Sequence, residues 1–547
     1  MARAGRIAAA AAVLLACAVL LPSCAARANG EPPLIGGADA PLAERGGEGI
    51  DVPSAPDDAD GPAPDDAAID LDGLDDAAPP EGFEPEGAAL EARLDAYLCE
   101  NVPRTGVPGV AVAVVDADGV RYLDTFGDCP GADAPFIIGS LSKSFTAAAV
   151  MQLAEQGLVD LDAPASSYAP GYDVPDEVTV RSLLNQTSGF GAYDSLAEAA
   201  DGELGETFGA FSYANANYDL LGRVVEGASG EDYARYLDEH VLEPLGMAST
   251  TADPARAEAL GMVPGHRDWF GLPVADGFRH AQGDGAWGGP ASGYVASSVR
   301  DMASYLRMYL NGGMGGDGAR VLSADSVRRM FLDRVPDPEG DTYYGMGWTS
   351  FSWDDGELVL SHDGQVENYT ASMCLLPERG IGIVALSDAN DNAGGNIRFF
   401  DLVGGVVSVA IGGTGQPMDD AWTWAWRQRV DVLYASALLL AVSPLLLTGR
   451  WRRRLSAACR GGVAPIVRAR SLRMLLVRGV LLHVALPACI LALPFVWGVP
   501  WRDLLTFSPD VSTVLLASAG LLVVAGAVRL AAAVTLRNDE PPPSIMR

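Results

Sequence analysis

Phe136-Ile-Ile-Gly-Ser-Leu-Ser-Lys143 is the stretch on which the reading of this chain turns. An apolar, β-like run gives way there to the start of a helix, and Ser140 and Lys143 stand three residues apart across the junction. That spacing is about one helical turn, so the two side chains share a face. A lysine held against a serine hydroxyl can take its proton if burial and neighbours keep the amine partly neutral. The first turn of a helix also directs free backbone N–H groups at the reacting oxygen. Serine and lysine are common and meet at this spacing by chance, so the pair gains meaning only from partners further along.

Those partners follow in order. Phe211-Ser-Tyr-Ala-Asn215 supplies Tyr-x-Asn, followed by Tyr218-Asp-Leu-Leu-Gly222, and Leu360-Ser-His-Asp-Gly364 supplies His-x-Gly at the start of a β-like run. Leu183-Leu-Asn-Gln-Thr-Ser-Gly189, Glu243-Pro-Leu-Gly-Met247 and Tyr344-Gly-Met-Gly-Trp348 lie between them. Together these segments resemble the class C β-lactamase-like serine hydrolases, a group that spans class C β-lactamases, D-alanyl-D-alanine carboxypeptidases, D-aminopeptidases and related esterases. The resemblance covers roughly residues 90–412. The chain departs from it in three places. His-Asp-Gly stands where true class C β-lactamases carry Lys-Thr-Gly, which is closer to the carboxypeptidase, aminopeptidase and esterase branches. Asn368 replaces a frequent Gly, and the turn is expected to survive because Asn tolerates a left-handed backbone. Gln186 replaces the usual His before Thr-Ser-Gly and reads as a neutral change.

The resemblance assigns expected roles. Ser140 is the nucleophile that forms an acyl-enzyme, and Lys143 is its activating base or the charge that keeps a base deprotonated. Tyr213 would shuttle the proton to the leaving group, for which its phenol, ordinarily near pKa 10, should be lowered by Lys143. Asn215 would bind Lys143 or the substrate amide, and His362 would assist Tyr213 or bind a substrate carboxylate. The oxyanion hole is expected from the backbone N–H groups of Ser140 and Gln365, directly after Gly364. No cofactor is expected, and no Cys/His spacing marks a metal site.

The local patterns agree with that outline. Leu90–Leu98 reads as an amphipathic helix, and Val110–Val115 and Val120–Phe126 flank the hairpin signal Asp116-Ala-Asp-Gly119. Ser142–Gln156 reads as the helix bearing Lys143, and Val178–Leu184, Tyr218–Gly227 and Glu231–Val241 as further helices. Tyr344–Phe351, Glu357–Ser361, Thr370–Leu376 and Gly382–Ser387 read as a strand meander, closed by a helix over Asn396–Ile411. Helices in mid-chain with strands at both ends predict an α/β (α+β) fold, one antiparallel sheet flanked by helices. The resemblance implies the β-lactamase/transpeptidase-like form of it, with an all-helical subdomain. It also sets the first helix beside the first hairpin, which would let Cys99 and Cys129 meet as a disulfide outside the cytoplasm.

The remaining sequence places this domain. The chain has 547 residues and a net charge of −34. Arg3 and Arg6 before an apolar run to Leu21 read as an export signal over residues 1–28. Both a lipobox at Cys24 and ordinary cleavage after Ala28 remain open. Residues 29–89 hold one arginine, Arg45, among many Asp, Glu, Ala, Pro and Gly, too few apolar groups to offset ordering, so an acidic linker is expected. After a second linker at 413–429, Val430–Leu447, Gly479–Trp497 and Val511–Val528 read as three transmembrane helices within 430–537, followed by a tail at 538–547. The first inter-span loop carries Arg450, Arg452, Arg453, Arg454, Arg460, Arg468, Arg470 and Arg473, and the second only Arg502. Positive residues stay inside, so the hydrolase domain is expected outside a bacterial cell membrane. Trp422, Trp424 and Trp426 would suit the outer interface. Without a basic patch in the soluble part, nucleic acid is not an expected partner. The expected partners are the membrane and a small-molecule or peptidoglycan-peptide substrate, with D-amino-acid peptides, amides or esters as acyl donors. β-Lactamase action and a penicillin-binding sensor without efficient turnover stand as alternatives.

Overall fold

The computed structural model describes residues 87–538 apart from 339, 354–355, 393–394, 416, 419 and 460–464. The export signal with Cys24, the linker up to residue 86, the end of the tail and the middle of the Arg-rich loop lie outside the described residues, as do the side chains of Trp422, Trp424 and Trp426.

Strand β1 (Gly109–Asp116) shows how the layers form. Its side chains alternate between faces with a period of two. Val110, Val112 and Val114 join one buried cluster with Leu94, Leu98, Phe399, Val403 and Val406. Ala111, Ala113 and Val115 join another with Phe145, Leu221 and Leu306. The strand is therefore apolar throughout because helices cover both of its faces. On the first face lie α1 (Gly87–Thr105) and, far along the chain, the helix Asn396–Ala410; on the second lie α2 (Ser142–Glu155), α3 (Asn215–Ser229) and α4 (Val299–Leu310). We label the helix Asn396–Ala410 α5.

The sheet has eight strands, all neighbours antiparallel. Its order is β2 (Val120–Gly127), β1, β12 (Ile381–Ser387), β11 (Tyr369–Leu376), β10 (Leu358–Val366), β9 (Trp348–Ser352), β8 (Tyr343–Gly345) and β7 (Val335–Pro336). The N-terminal hairpin thus joins the C-terminal meander through β1 and β12, with Val110 opposite Ser387. A short pair, β3 (Phe136–Ile137) with β6 (Ala296–Ser297), leads into the turn Gly139–Leu141 that starts α2. β4 (His266–Trp269) pairs with β5 (Leu272–Val274) and with β13 (Ala389–Asn390) beside the main sheet.

The expected disulfide is absent. Cys99 and Cys129 are free thiols. Cys99 stands near Tyr122 in the middle of β2, whereas Cys129 lies past its end beside Gly131, its Sγ 3.6 Å from that carbonyl. A strand rises about 3.3 Å per residue, so the two are out of bonding reach. Asn368 is absent from the described non-glycine residues with positive φ, which are Gln186, Phe270 and Met346; the β10–β11 turn closes with Val366 opposite Tyr369 without a left-handed Asn. Among the described residues, the helix of that region long and apolar enough to cross a membrane runs over Ala469–Leu491, overlapping the expected Gly479–Trp497. Arg470 and Arg473 lie in helix, not loop, and the helix breaks at Ala492 because Pro494 lacks the N–H to continue it.

At the C-terminus, α6 (Asp420–Leu446) and α7 (Thr448–Cys459) form a pair bent by 48°. α8 (Pro465–Val480) continues toward Leu491, α9 (Trp501–Phe507) is a short connector, and α10 (Pro509–Asn538) closes the chain. Among the described residues, two helices, Ala469–Leu491 and Pro509–Thr535, are long and apolar enough to cross a membrane, or three if the bent pair counts as one span.

Candidate active site

Ser140 sits in the tight turn Gly139–Leu141, where the chain swings from β3 into α2. Gly139 has φ +57°, and a Cβ there would lie 2.6 Å from the backbone nitrogen of Gln365. A Cβ on Gly364 would lie 2.1 Å from the carbonyl oxygen of Ile138. Only two glycines let β10 come this close to the serine-bearing turn. That approach sets the backbone of Gln365 beside Ser140, as the expected oxyanion donors require. Asn396 Nδ2 donates to Gln365 Oε1 at 2.8 Å and holds that side chain.

Lys143, one turn along α2, is fully buried. Its Nζ lies 3.2 Å from Ser140 Oγ, 2.7 Å from Asn215 Oδ1 and 2.7 Å from the carbonyl oxygen of Ser292. Burial disfavours its ammonium form and lowers its pKa from 10.5 to about 7, against an opposing pull from Asp219. Asp219 itself accepts from the N–H of Gly289 at 2.9 Å, and burial raises its carboxyl.

Tyr213 shares a side-chain hydrogen bond with Ser140, and its ring centre is 4.7 Å from Lys143 Nζ. Burial and the neighbouring Tyr344 raise its pKa well above 10. The expected lowering by Lys143 is absent because burial of the phenol dominates, and an amine lowered to about 7 carries only part of its charge. The phenol keeps its proton, whereas Lys143, lowered to about 7, can give its proton up near neutral pH.

His362 is buried, with Nδ1 2.8 Å from its neighbouring Asp363 carbonyl and Nε2 3.3 Å from the Tyr344 hydroxyl. Burial and Lys143 lower its pKa to about 3, so the imidazole is neutral. Its contact with Tyr213 is between rings, with centroids 6.3 Å apart, and Tyr344 stands against both. The expected residues Ser140, Lys143, Tyr213, Asn215 and His362 thus converge with Gly364 and Gln365 in one place.

Several contributors were not singled out from sequence. Asp219 lay inside the quoted Tyr218-Asp-Leu-Leu-Gly222 segment, where a signal existed. Ser292 acts through its carbonyl, which no side-chain pattern reports. Gln186 does more than a neutral replacement would. It sits at φ +58°, its Oε1 accepts from Ala214 N–H at 3.0 Å and from Asn217 Nδ2, and its carbonyl accepts from Ser212 N–H at 2.8 Å. It therefore fixes the segment carrying Tyr213 and Asn215.

The profile of the family described as Beta-lactamase matches residues 88–401. The chain belongs to the Beta-lactamase family. Penicillin-binding protein 4 of Amycolatopsis lactamdurans is 30% identical over 333 residues, covering 54% of this chain and 84% of that protein. Protein flp of Staphylococcus aureus (strain MW2) is 24% identical over 328 residues, 55% of this chain, and the chain spans only 63% of its length. Among solved structures, the octameric penicillin-binding protein homologue from Pyrococcus abyssi aligns at TM-score 0.48 and 26% identity, covering 59% of this chain and 77% of that one. Beta-lactamase-family members of this kind are serine hydrolases, and the α+β sheet with its helical layers is the fold they share.

Proposed function

We propose that the chain is a membrane-anchored, extracytoplasmic serine hydrolase that acts through an acyl-enzyme on Ser140, on D-amino-acid peptides, small amides or esters. One observation carries this reading: a fully buried Lys143, lowered toward neutrality, 3.2 Å from a serine hydroxyl. In the proposed cycle the neutral Lys143 amine accepts the Ser140 proton as Oγ attacks the carbonyl carbon. The N–H groups of Ser140 and Gln365 hold the oxyanion, a contribution of roughly 10²–10³ in rate for such a donor. The Tyr213 phenol gives its proton to the leaving group and takes the Lys143 proton in its place; water then attacks the acyl carbon, giving its proton by way of Lys143 to Ser140 Oγ as the acyl–oxygen bond breaks and the acid leaves. His362 and Tyr344 position Tyr213.

The name of the relative at 30% identity supports a penicillin-type acyl donor. A neutral His362 in place of a lysine weighs against efficient β-lactamase turnover. The helical bundle supports the proposed orientation. α6 starts shortly after the hydrolase domain and spans 27 residues, about 40 Å, before the arginines of α7. Those arginines lie at the far end, as an inside location requires.

The test is intact-mass spectrometry of the full chain with a fluorescent penicillin, beside Ser140→Ala. An adduct that the substitution abolishes supports the reading. An adduct that survives it refutes Ser140 as the acylated residue.

A further inference from the structure

We infer that α9, the connector between the two apolar helices, is a wall of the Ser140 cleft, and that Arg502 and Phe507 restrict which acyl donors reach the serine. The inference rests on the role proposed for Ser140. Two stretches, 189–207 and 269–289, carry none of the site motifs and lie between them in the chain. α9 touches both. Arg502 Nη2 donates to the Tyr193 carbonyl at 3.2 Å in the first. In the second, Phe507 meets Trp287 edge to face, with ring centroids 4.9 Å apart at 78°. Trp287 adjoins Gly288, where a Cβ would lie 3.2 Å from Asn215 Nδ2 and 3.4 Å from the Tyr294 ring. The aromatic pair is therefore one residue removed from the side chain that holds Lys143.

The contact is anchored at several points. Arg267 Nη1 donates to the Thr506 carbonyl at 3.2 Å, and the Phe270 N–H to Asp510 Oδ2 at 3.3 Å. Asp503 is 3% exposed, a carboxylate of a membrane connector packed away from water. Besides its partner Arg502, the charges that act on it include Glu367 and Glu198 of the hydrolase domain. Glu367 in turn accepts from the Tyr294 hydroxyl at 3.2 Å and lies 2.7 Å from His280 Nδ1. A tether that only held the domain near a membrane would need none of these contacts. A rigid aromatic and guanidinium wall beside the nucleophile excludes acyl groups by size, and poor fit in a packed pocket is worth roughly 10–200-fold in selectivity.

The test uses the full chain in lipid nanodiscs. First, a Trp287→Cys/Phe507→Cys double variant is treated with a short bis-maleimide and the linked peptides are mapped by mass. A 287–507 link absent from both single variants is expected; no link overturns the docking. Second, acylation rates are compared for penicillins with small and bulky side chains, and hydrolysis rates for short and long acyl esters. Arg502→Ala, which removes a half-exposed side chain, and Phe507→Ala are each expected to raise the bulky-to-small rate ratio about tenfold. A link with an unchanged ratio in both variants overturns the selective wall. A wild-type chain inert to every acyl donor overturns the proposed role of Ser140 instead, while the cross-link still decides the docking.

Discussion

Lys143 Nζ stands 3.2 Å from Ser140 Oγ and closer still to two acceptors. A neutral amine has two N–H donors and one lone pair, and the two contacts at 2.7 Å, Asn215 Oδ1 and the Ser292 carbonyl, are both acceptors. They take the two N–H groups and leave the lone pair for the Ser140 hydroxyl at 3.2 Å. The geometry is that of a base. Arginine cannot lose its proton in a protein, so Lys143→Arg keeps the charge but removes the base. Acylation of Ser140, followed by intact mass, is expected to fall by about 10²–10⁴. A variant that acylates at the native rate would show that charge alone suffices.

The same burial sets the pH dependence. Lys143 is active when unprotonated, so acylation is expected to rise with pH, tenfold per unit at first, and to level off above about 7. The negative charge of Asp219 raises the affinity of Lys143 for its proton. Asp219→Asn removes that pull, so the rising limb should move to lower pH. Rate profiles of the two proteins decide the matter: an unmoved limb would mean that Asp219 does not communicate with the base.

Tyr213→Phe separates attack from departure. Burial keeps the phenol protonated, which fits a donor to the leaving group rather than a base for Ser140. Amide donors, whose leaving amine needs a proton, should lose about 10²–10⁴ in acylation rate. Esters with acidic phenol leaving groups need little help and should lose much less. Equal losses on both classes would place Tyr213 in the attack step.

Much of this was legible in the sequence because covalent spacing and turn signals are local. Ser140 and Lys143 share a helical face whatever surrounds them, and the turn signal Asp116-Ala-Asp-Gly119 marked the first hairpin. What failed depended on environment. The proton inventory of Tyr213 is set by burial that no motif encodes. The distance between Cys99 and Cys129 depends on where along β2 the first helix lies. The part played by Gln186 arises from a backbone turn that brings its side chain under the Tyr213 segment.

Gln186→Ala tests that last point. It removes the acceptor for Ala214 N–H and Asn217 Nδ2 in a buried setting. Donors left unsatisfied there cost about 1–3 kcal/mol. Thermal unfolding of the full chain should shift down accordingly. kcat should fall because Tyr213 and Asn215 lose their support, while the pH limb, which belongs to Lys143, stays in place. A displaced limb would show that Gln186 acts on the base itself.

Gly364→Ala probes the oxyanion geometry, and Gly380→Ala supplies its control. At Gly364 the added methyl would meet the Ile138 carbonyl at 2.1 Å and Leu141 Cδ1 at 3.0 Å. The carbonyl is backbone, so relief requires β10 and the Ser140 turn to part, and overpacking of this kind costs about 1–3 kcal/mol. The separation pulls the Gln365 N–H from its position opposite Ser140, and losing one such donor costs about 10²–10³ in rate. Gly380 has φ +63° with no atom within 4 Å of an added Cβ. Its alanine strains the backbone by about 1 kcal/mol, a comparable loss of stability far from the site. Acylation should collapse in the first variant and persist in the second, with both melting lower than the native chain. If Gly364→Ala acylates as fast as Gly380→Ala, the second oxyanion donor is not Gln365.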